Sequence, residues 1–500
     1  MALPQDFTLE LVEDVNGNYG SVAVPFPLPA AYRMPAAKMP MALVFPRPDA
    51  ETQTYARHRW AHPSFQYKIS IGVQGGNWPF KYELISAPTG ATIGSYMVQP
   101  NYGTITWDPS ASSGTESFTV RVTDNDGSTV DAIWTVTIDA TRFIFVDPNA
   151  VTSGTGTIAS PLKLWTDWYK NDHNDATYAG KILVLRTGDH ILYGASGDTP
   201  DVYNIQINSA IKPAAIIGIP GESAIVDCTS GKILIQTCTD TFYRDFELKD
   251  ACQLVDNAHF FWLTTATVSR ATFQDLIMRD FDQGLVGTDN ANAIFVANTA
   301  NKNYFMVSGC TFDNFTVLNN GGFIDMYALS YFLIENNIFR NSNVSLGVHA
   351  KATVAFGTMR NNDFSEGISG VCMAIGYSAS SPSLPHDHEM CWNKFKNTGG
   401  VATFRCVELQ GYPGQTYNTY AYRNTSYGGC PVIRFVGAEN FGIDANFVVS
   451  LDPITGVNWN MSIADVTVAN FATTDLTAIN ADMTPTDPTK RFTIGCEAWK

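Results

Sequence analysis

The sequence predicts an all-β protein: a Pro-rich N-terminal arm, a small β-sandwich and a long parallel β-helix. Three observations carry this. A short phrase of Asn, apolar residue and Asn recurs between about residues 304 and 450. Clean apolar–polar alternation fills residues 61–140. Seven prolines stand between positions 25 and 48. The recurring phrase reads Cys310-Thr-Phe312-Asp-Asn314, Asn336-Asn337-Ile-Phe339-Arg-Asn341, Asn361-Asn362-Asp-Phe364, Asn393-Lys-Phe395-Lys-Asn397, Arg423-Asn424-Thr-Ser426 and Ala445-Asn446-Phe-Val448. Aligning Asn337, Asn362, Asn393, Asn424 and Asn446 gives steps of 25, 31, 31 and 22 residues. Irregular self-similarity of that period means stacked repeats, with loops of variable length between short strands. A strand of four to seven residues cannot bury an apolar face alone, so successive coils must pair and share one interior. Asn repeated at one corner sits at a turn and hydrogen-bonds the coils on either side.

The arm, residues 1–60, cannot form continuous helix or a central strand through its prolines. It nevertheless holds Phe26, Tyr32, Met34, Met39, Met41, Leu43 and Phe45, more apolar bulk than a disordered linker carries. It is expected to pack on something: its own domain, a sister chain or a larger assembly.

Residues 61–140 alternate as half-buried strands. Examples are Phe65-Gln-Tyr67-Lys-Ile69-Ser-Ile71 and the pair Phe118–Val122 and Ala132–Ile138 around the turn Asp124-Asn-Asp-Gly127. The phrases PFKYELISAPTGATIG, GTITWDPS and GTESFTVRVTDNDGSTVDAIWTVTI resemble the Ig-like modules of bacterial and phage surface proteins. Such modules are spacers or weak binders. Asp124 and Asp126 are candidates to assist a calcium or other divalent ion, against the plainer reading of a polar hairpin turn. No other cofactor is expected.

From Arg142 the texture changes. Phe143–Val146, the Gly-rich Gly154-Thr-Gly156, a short helical patch at Leu164–Tyr169, Lys181–Leu185 and Ala215–Gly221 are similar to the opening of the pectate-lyase-like β-helix superfamily. That resemblance spans about residues 141–450. It implies a right-handed parallel β-helix whose first coil is covered by a capping helix. It leaves the reaction open, because lyases, hydrolases, epimerases and binding spikes share the scaffold. Residues 451–500 lose the phrase and are expected to form a cap or an intersubunit tail.

Composition narrows the function. A net charge of −16 argues against nucleic acid. No apolar stretch is long enough to span a bilayer, and no basic start precedes an apolar run, so neither membrane insertion nor a signal peptide is expected. The nine Cys lack metal-type spacing and sit in apolar strand patterns, as reduced core residues would. Arm, Ig-like module and β-helix together resemble bacteriophage tail spikes and related virion surface proteins. The resemblance implies a homotrimer made in the host cytoplasm and displayed on the virion. Residues 1–60 would dock on other virion proteins, and the β-helix would meet host-surface polysaccharide. A polysaccharide-degrading enzyme, lyase before hydrolase, is the alternative; a capsid decoration protein without specific ligand is a third.

Chemistry is sought on the strand after each phrase. Positions fourteen or fifteen residues on are Asp325, Lys351, Tyr377 and Glu408, with His349, Arg405, Gln410 and Arg434 nearby. Asp325 and Glu408 are candidate acid and base for glycoside hydrolysis. Lys351 or Arg405 is a candidate base beside a uronic carboxylate. Tyr377, Tyr412, Gln410 and Arg434 are candidate sugar contacts. Three coils separate Asp325 from Glu408. At about 4.8 Å per coil they stand about 14 Å apart, beyond the roughly 5–9.5 Å that paired glycosidase carboxylates need. His386-Asp-His388-Glu389, in an expected polar loop, is a weak metal motif, and no metal site is assigned.

Overall fold

The structure is a computed structural model. It describes residues 36–47, 57–97, 99–163, 181–191, 204–207, 215–228, 233–236, 241–251, 259–263, 270–282, 291–297, 302–317, 321–351, 354–376, 386–396, 405–410, 419–427, 433–436, 441–444, 447–449 and 471–473. Regular structure in these residues is strand apart from three short 3₁₀ turns. The capping-helix patch Leu164–Tyr169, Asn446, and most of residues 1–60 and 451–500 lie outside the described residues.

From Phe143 onward every strand pairs in parallel with its counterpart one coil away, giving a right-handed parallel β-helix. One face is an eleven-stranded sheet running from Phe143–Val146 to Phe441–Asp444. The other two faces join as an eighteen-stranded sheet, because Ile338–Lys351 and Asp363–Gly376 bend across the corner without a break. Inside runs one apolar column, including stacked Phe312, Phe339, Phe364 and Phe395, with centroids 4.4–5.3 Å apart.

The Asn corner forms as the phrase predicts. Asn337, Asn362, Asn393 and Asn424 are buried. The Nδ2 of Asn337 donates to Asn362 Oδ1 at 3.0 Å, Asn362 to Asn393 at 3.0 Å, and Asn393 to Asn424 at 3.1 Å. Each Oδ1 also accepts the backbone N–H of the Asn one coil earlier, and Cys310 N–H closes the series on Asn337. Each remaining amide proton goes to a strand carbonyl, such as Val307 O or Ile334 O. Before Cys310 the same corner is apolar, with Phe246 and Leu276. The preceding residue is left-handed throughout, from Asp245 and Asp275 through Gly309, Asn336 and Asn361 to Trp392 and Arg423.

Residues 60–138 form a sandwich. A four-stranded sheet (Trp60–Ala61, Lys81–Ser86, Thr115–Thr123, Thr129–Ile138) faces a three-stranded one (Tyr67–Ser70, Thr92–Ile93, Thr104–Trp107). Phe118 stacks on Trp134 at 5.0 Å in its core. Asp124 Oδ1 accepts from the N–H groups of Asp126 and Ser128, and its Oδ2 from Asn77 N–H. Asp126 accepts from Asn77 Nδ2 and Ala37 N–H. Both candidate cation ligands thus serve the turn.

The sandwich lies flat on the outward face of the eleven-stranded sheet. That face is buried: Thr272, Gln274, Leu333, Glu335, Thr358, Arg360, Glu389 and Cys391 all point outward, yet none is more than 4% exposed. Polar groups there are matched to the module's backbone. The Gln274 amide accepts from Ser70 N–H at 3.0 Å and donates to Ser70 O at 2.9 Å, occupying a strand edge. Thr358 Oγ1 accepts from Gly75 N–H. Arg360 pairs with Glu335 at 2.8 Å and donates to the carbonyls of Val73 and Gly75. Lys68 pairs with Asp245 and Asp275 at 2.9 and 2.6 Å, and Trp78 meets Trp392 at 5.0 Å.

The described part of the arm folds back on its own chain. Ala42–Phe45 pairs antiparallel with Gly72–Gln74, and Phe45 stacks on Phe242 at 5.8 Å. The buried residues Leu43, Val44 and Phe45 are therefore not available to a partner, which corrects the expectation that all of residues 1–60 serve attachment. Cys228, Cys310, Cys372 and Cys391 are buried and outside any disulfide; Cys406 lies on the Arg405–Gln410 strand, and the other four Cys lie outside the described residues.

Replacing Arg360 by Ala leaves Glu335 buried without its cation, and destabilisation of about 3–5 kcal/mol is expected. The apolar pair Glu335→Leu with Arg360→Met is expected to recover most of it. Chemical denaturation of the three proteins checks both.

Candidate functional site

The eighteen-stranded sheet also has an outward face. Strand register places Trp262, Phe295, Asp325, His349, Ala374, Glu408 and Arg434 in one row across seven successive coils. A second row, two residues on, holds Tyr327 and Lys351. Inward neighbours such as Ile294, Val296, Ile324, Met326, Val348 and Ala350 belong to the core. Period-two alternation therefore turns both rows outward where side chains are described.

Asp325 and Lys351 come together on the diagonal: register sets His349 opposite Asp325 and Lys351 opposite Tyr327, two residues away from the alignment that spacing gives. Lys351 Nζ is 3.0 Å from Asp325 Oδ2 and 4.2 Å from the centre of the Tyr327 ring. Asp325 is 4% exposed, and burial pushes its carboxyl up to about 6 against the pull of Lys351. Burial would lower the Lys351 ammonium, but Asp325 and Tyr327 outweigh it and the net displacement is upward. An ammonium held in this way favours the protonated form, which does not suit the expected role of Lys351 as a base. His349 Nδ1 lies 3.6 Å from Asp325 Oδ1. Burial and the Lys351 charge drive this imidazole down to about 3, so it is neutral. Among the described residues, neither His349 nitrogen, Asp325 Oδ1 nor Trp262 Nε1 has a hydrogen-bond partner.

Aromatic rings continue the site along the axis. His259 stacks on Phe295 at 4.8 Å, Trp262 lies 6.2 Å from Phe295, and Phe295 meets Tyr327 edge-on at 5.9 Å. Spacing arguments missed Trp262 and Phe295, because the Asn phrase starts only at Cys310. Their coils are 30 and 33 residues long, so no step taken from the phrase reaches them.

Glu408 stands in the Asp325 row but three coils away, so register confirms the separation that forbids direct partnership. Arg405 sits in a different row, opposite Val371. Gln410 ends the Arg405–Gln410 strand, and Arg434 lies beside Glu408 one coil on. Tyr377 and Tyr412 lie outside the described residues. The His386–Glu389 motif is strand, not loop, and strand alternation divides it. His388 points inward, 5.6 Å from Phe332, while Glu389 points outward and is bonded to Thr358 and Tyr422. Among the described residues no three His, Cys, Asp or Glu side chains group to hold a metal.

Residues 76–139 match the family model of a bacterial Ig domain. No curated protein matches the chain. Among solved structures it is similar to a rhamnogalacturonan lyase at 14% identity, over 71% of this chain and 99% of that one, with a TM-score of 0.36. It is also similar to a family 28 exopolygalacturonase of Yersinia enterocolitica at 10% identity, over 82% and 99%, with a TM-score of 0.31. A pectate lyase shares 11% identity over 61% and 79%, with a TM-score of 0.29. The β-helix assignment rests on the strand registers rather than on these likenesses.

Asp325 gives a signed pH dependence. Between the ordinary carboxyl value of 3.8 and about 6, the folded protein keeps a proton that the unfolded chain releases. Asp325 thus makes stability fall as pH rises through that window, by up to about 3 kcal/mol. Asp325→Asn is expected to flatten the wild-type slope there, as measured by urea unfolding midpoints across the pH range.

Proposed function

We propose that this protein is a glycan-recognising β-helix protein of a virion surface. The observation that supports the reading is the outward stripe of the eighteen-stranded sheet. Trp262, Phe295 and Tyr327 offer half-buried ring surface, with the half-buried Lys351 ammonium beside Tyr327 and the buried Asp325 and His349 beneath. Sugars bring both the apolar ring face and the hydroxyls that such a surface takes. The host-surface polysaccharide is the ligand. Attachment to the particle falls to residues 1–60 outside the Ala42–Phe45 strand, which the protein's own fold occupies. Assembly as a homo-oligomer fits this reading.

The second reading, a polysaccharide-degrading enzyme, is favoured by one observation: the Asp325 carboxyl pushed up to about 6 in an enclosed pair. Two others weigh against it, the protonated form favoured at Lys351 and the three-coil distance to Glu408.

Purified protein incubated with bacterial capsular or lipopolysaccharide O-chains separates the readings. Recognition predicts retention of the chains at unchanged length, with Trp262→Ala weakening retention about tenfold, equivalent to about 1.4 kcal/mol. Chain shortening that Asp325→Asn abolishes would favour the enzyme, and absence of retention and shortening with every chain tested contradicts both.

A further inference from the structure

A cleft of about 310 Å³ opens where the Ig-like sandwich meets the Asn corner of the β-helix. It is at the lower end of the volumes that ligand pockets show, about 300–1,000 Å³. One wall is the sandwich, with Met97 and Thr104; the other is the corner, with Asn336, Ile338 and Asn361. Asp275 and Glu335 contribute to its lining, but each is already paired, with Lys68 at 2.6 Å and with Arg360 at 2.8 Å. The two corner amides are only half used. Asn361 Nδ2 donates to Asn336 Oδ1 at 2.7 Å. That leaves Asn336 Nδ2 as donor and Asn361 Oδ1 as acceptor at the two outer ends of the pair. Left-handed backbone at both residues, with φ of 57° and 50°, turns this pair out of the helix body.

We propose that the cleft is a second binding site, taking one or two residues of a neutral saccharide. This rests on the glycan-recognition reading but uses none of the residues of the outward stripe. An alternating amide donor and acceptor suits hydroxyls, which do both. Met97 and Ile338 supply apolar contact for the ring. Asp275 and Glu335 are matched by Lys68 and Arg360, and the lining also carries Asp363 with Lys394, so a uronate or a phosphate finds no excess of positive charge there, and the net charge of −16 disfavours both. The site depends on both modules, so neither alone contains it.

Saturation-transfer NMR on the full chain, with millimolar lactose and maltose as probes, tests the assignment. Signal transfer to at least one of them is expected. Asn361→Leu removes the acceptor and is expected to weaken binding about tenfold. Thr104→Trp fills the cleft and is expected to abolish transfer; Asn361→Ser replaces either variant should its thermal unfolding show that it does not fold. No transfer to the wild type, or transfer undiminished in the folded variants, overturns the proposal. Retention of O-polysaccharide by the same preparations is read in parallel. Its absence alongside cleft binding refutes the stripe and not the cleft.

Discussion

The eleven-stranded sheet is buried on both faces, and the rest of the architecture depends on that constraint. Inward, it closes the core of the β-helix. Outward, it carries the Ig-like sandwich across a boundary that mixes apolar packing with matched polar groups. Met306, Leu333, Trp392 and Tyr422 belong to the same apolar cluster as the sandwich core. Gln274, Thr358 and Arg360 provide hydrogen bonds to backbone groups at Ser70, Val73 and Gly75, and Glu335 accepts from Arg360. Buried charge of this kind adds little net stability over apolar packing, but an unmatched partner is costly. The boundary therefore specifies one docking position. A module that elsewhere serves as a spacer is here built into the body of the protein, and this is what creates a cleft between the two.

The corner of the coil is the second constraint. A left-handed residue followed by a buried one turns the chain at every coil, and the buried position changes from apolar to Asn at Asn337. From there the side-chain amides replace apolar packing with a continuous ladder. Because backbone and side chain are satisfied together, the loops beyond the corner can vary in length without disturbing register. Register across coils of unequal length gathers Trp262, Phe295, Asp325 and His349 on the outward stripe.

Much of this was legible in the residues. The Asn ladder was, because one residue type at one offset has one good use in stacked coils. The Asp325–Lys351 proximity was legible only to within two residues, because unequal coils put His349, not Lys351, opposite Asp325. The interface was not. A Gln, Glu or Arg alternating with apolar residues in a strand reads as a solvated face, and only the position of the sandwich reveals Gln274, Glu335 and Arg360 as buried. His388 misled for the related reason that a polar phrase reads as a loop, whereas its alternation sends the imidazole inside. The stripe was half legible: its charged members follow from the repeat, while its aromatic members precede the phrase that set the alignment.

Amide hydrogen exchange at Ser70 and Gly75 tests the docked arrangement most directly. Both N–H groups donate to β-helix side chains, Ser70 to Gln274 and Gly75 to Thr358. The account predicts slow exchange at both, lost in Arg360→Ala before the sandwich core itself exchanges. Fast exchange at Ser70 and Gly75 in the wild type, with Phe118–Val122 still protected, would mean the module is not seated on the sheet and would contradict the account.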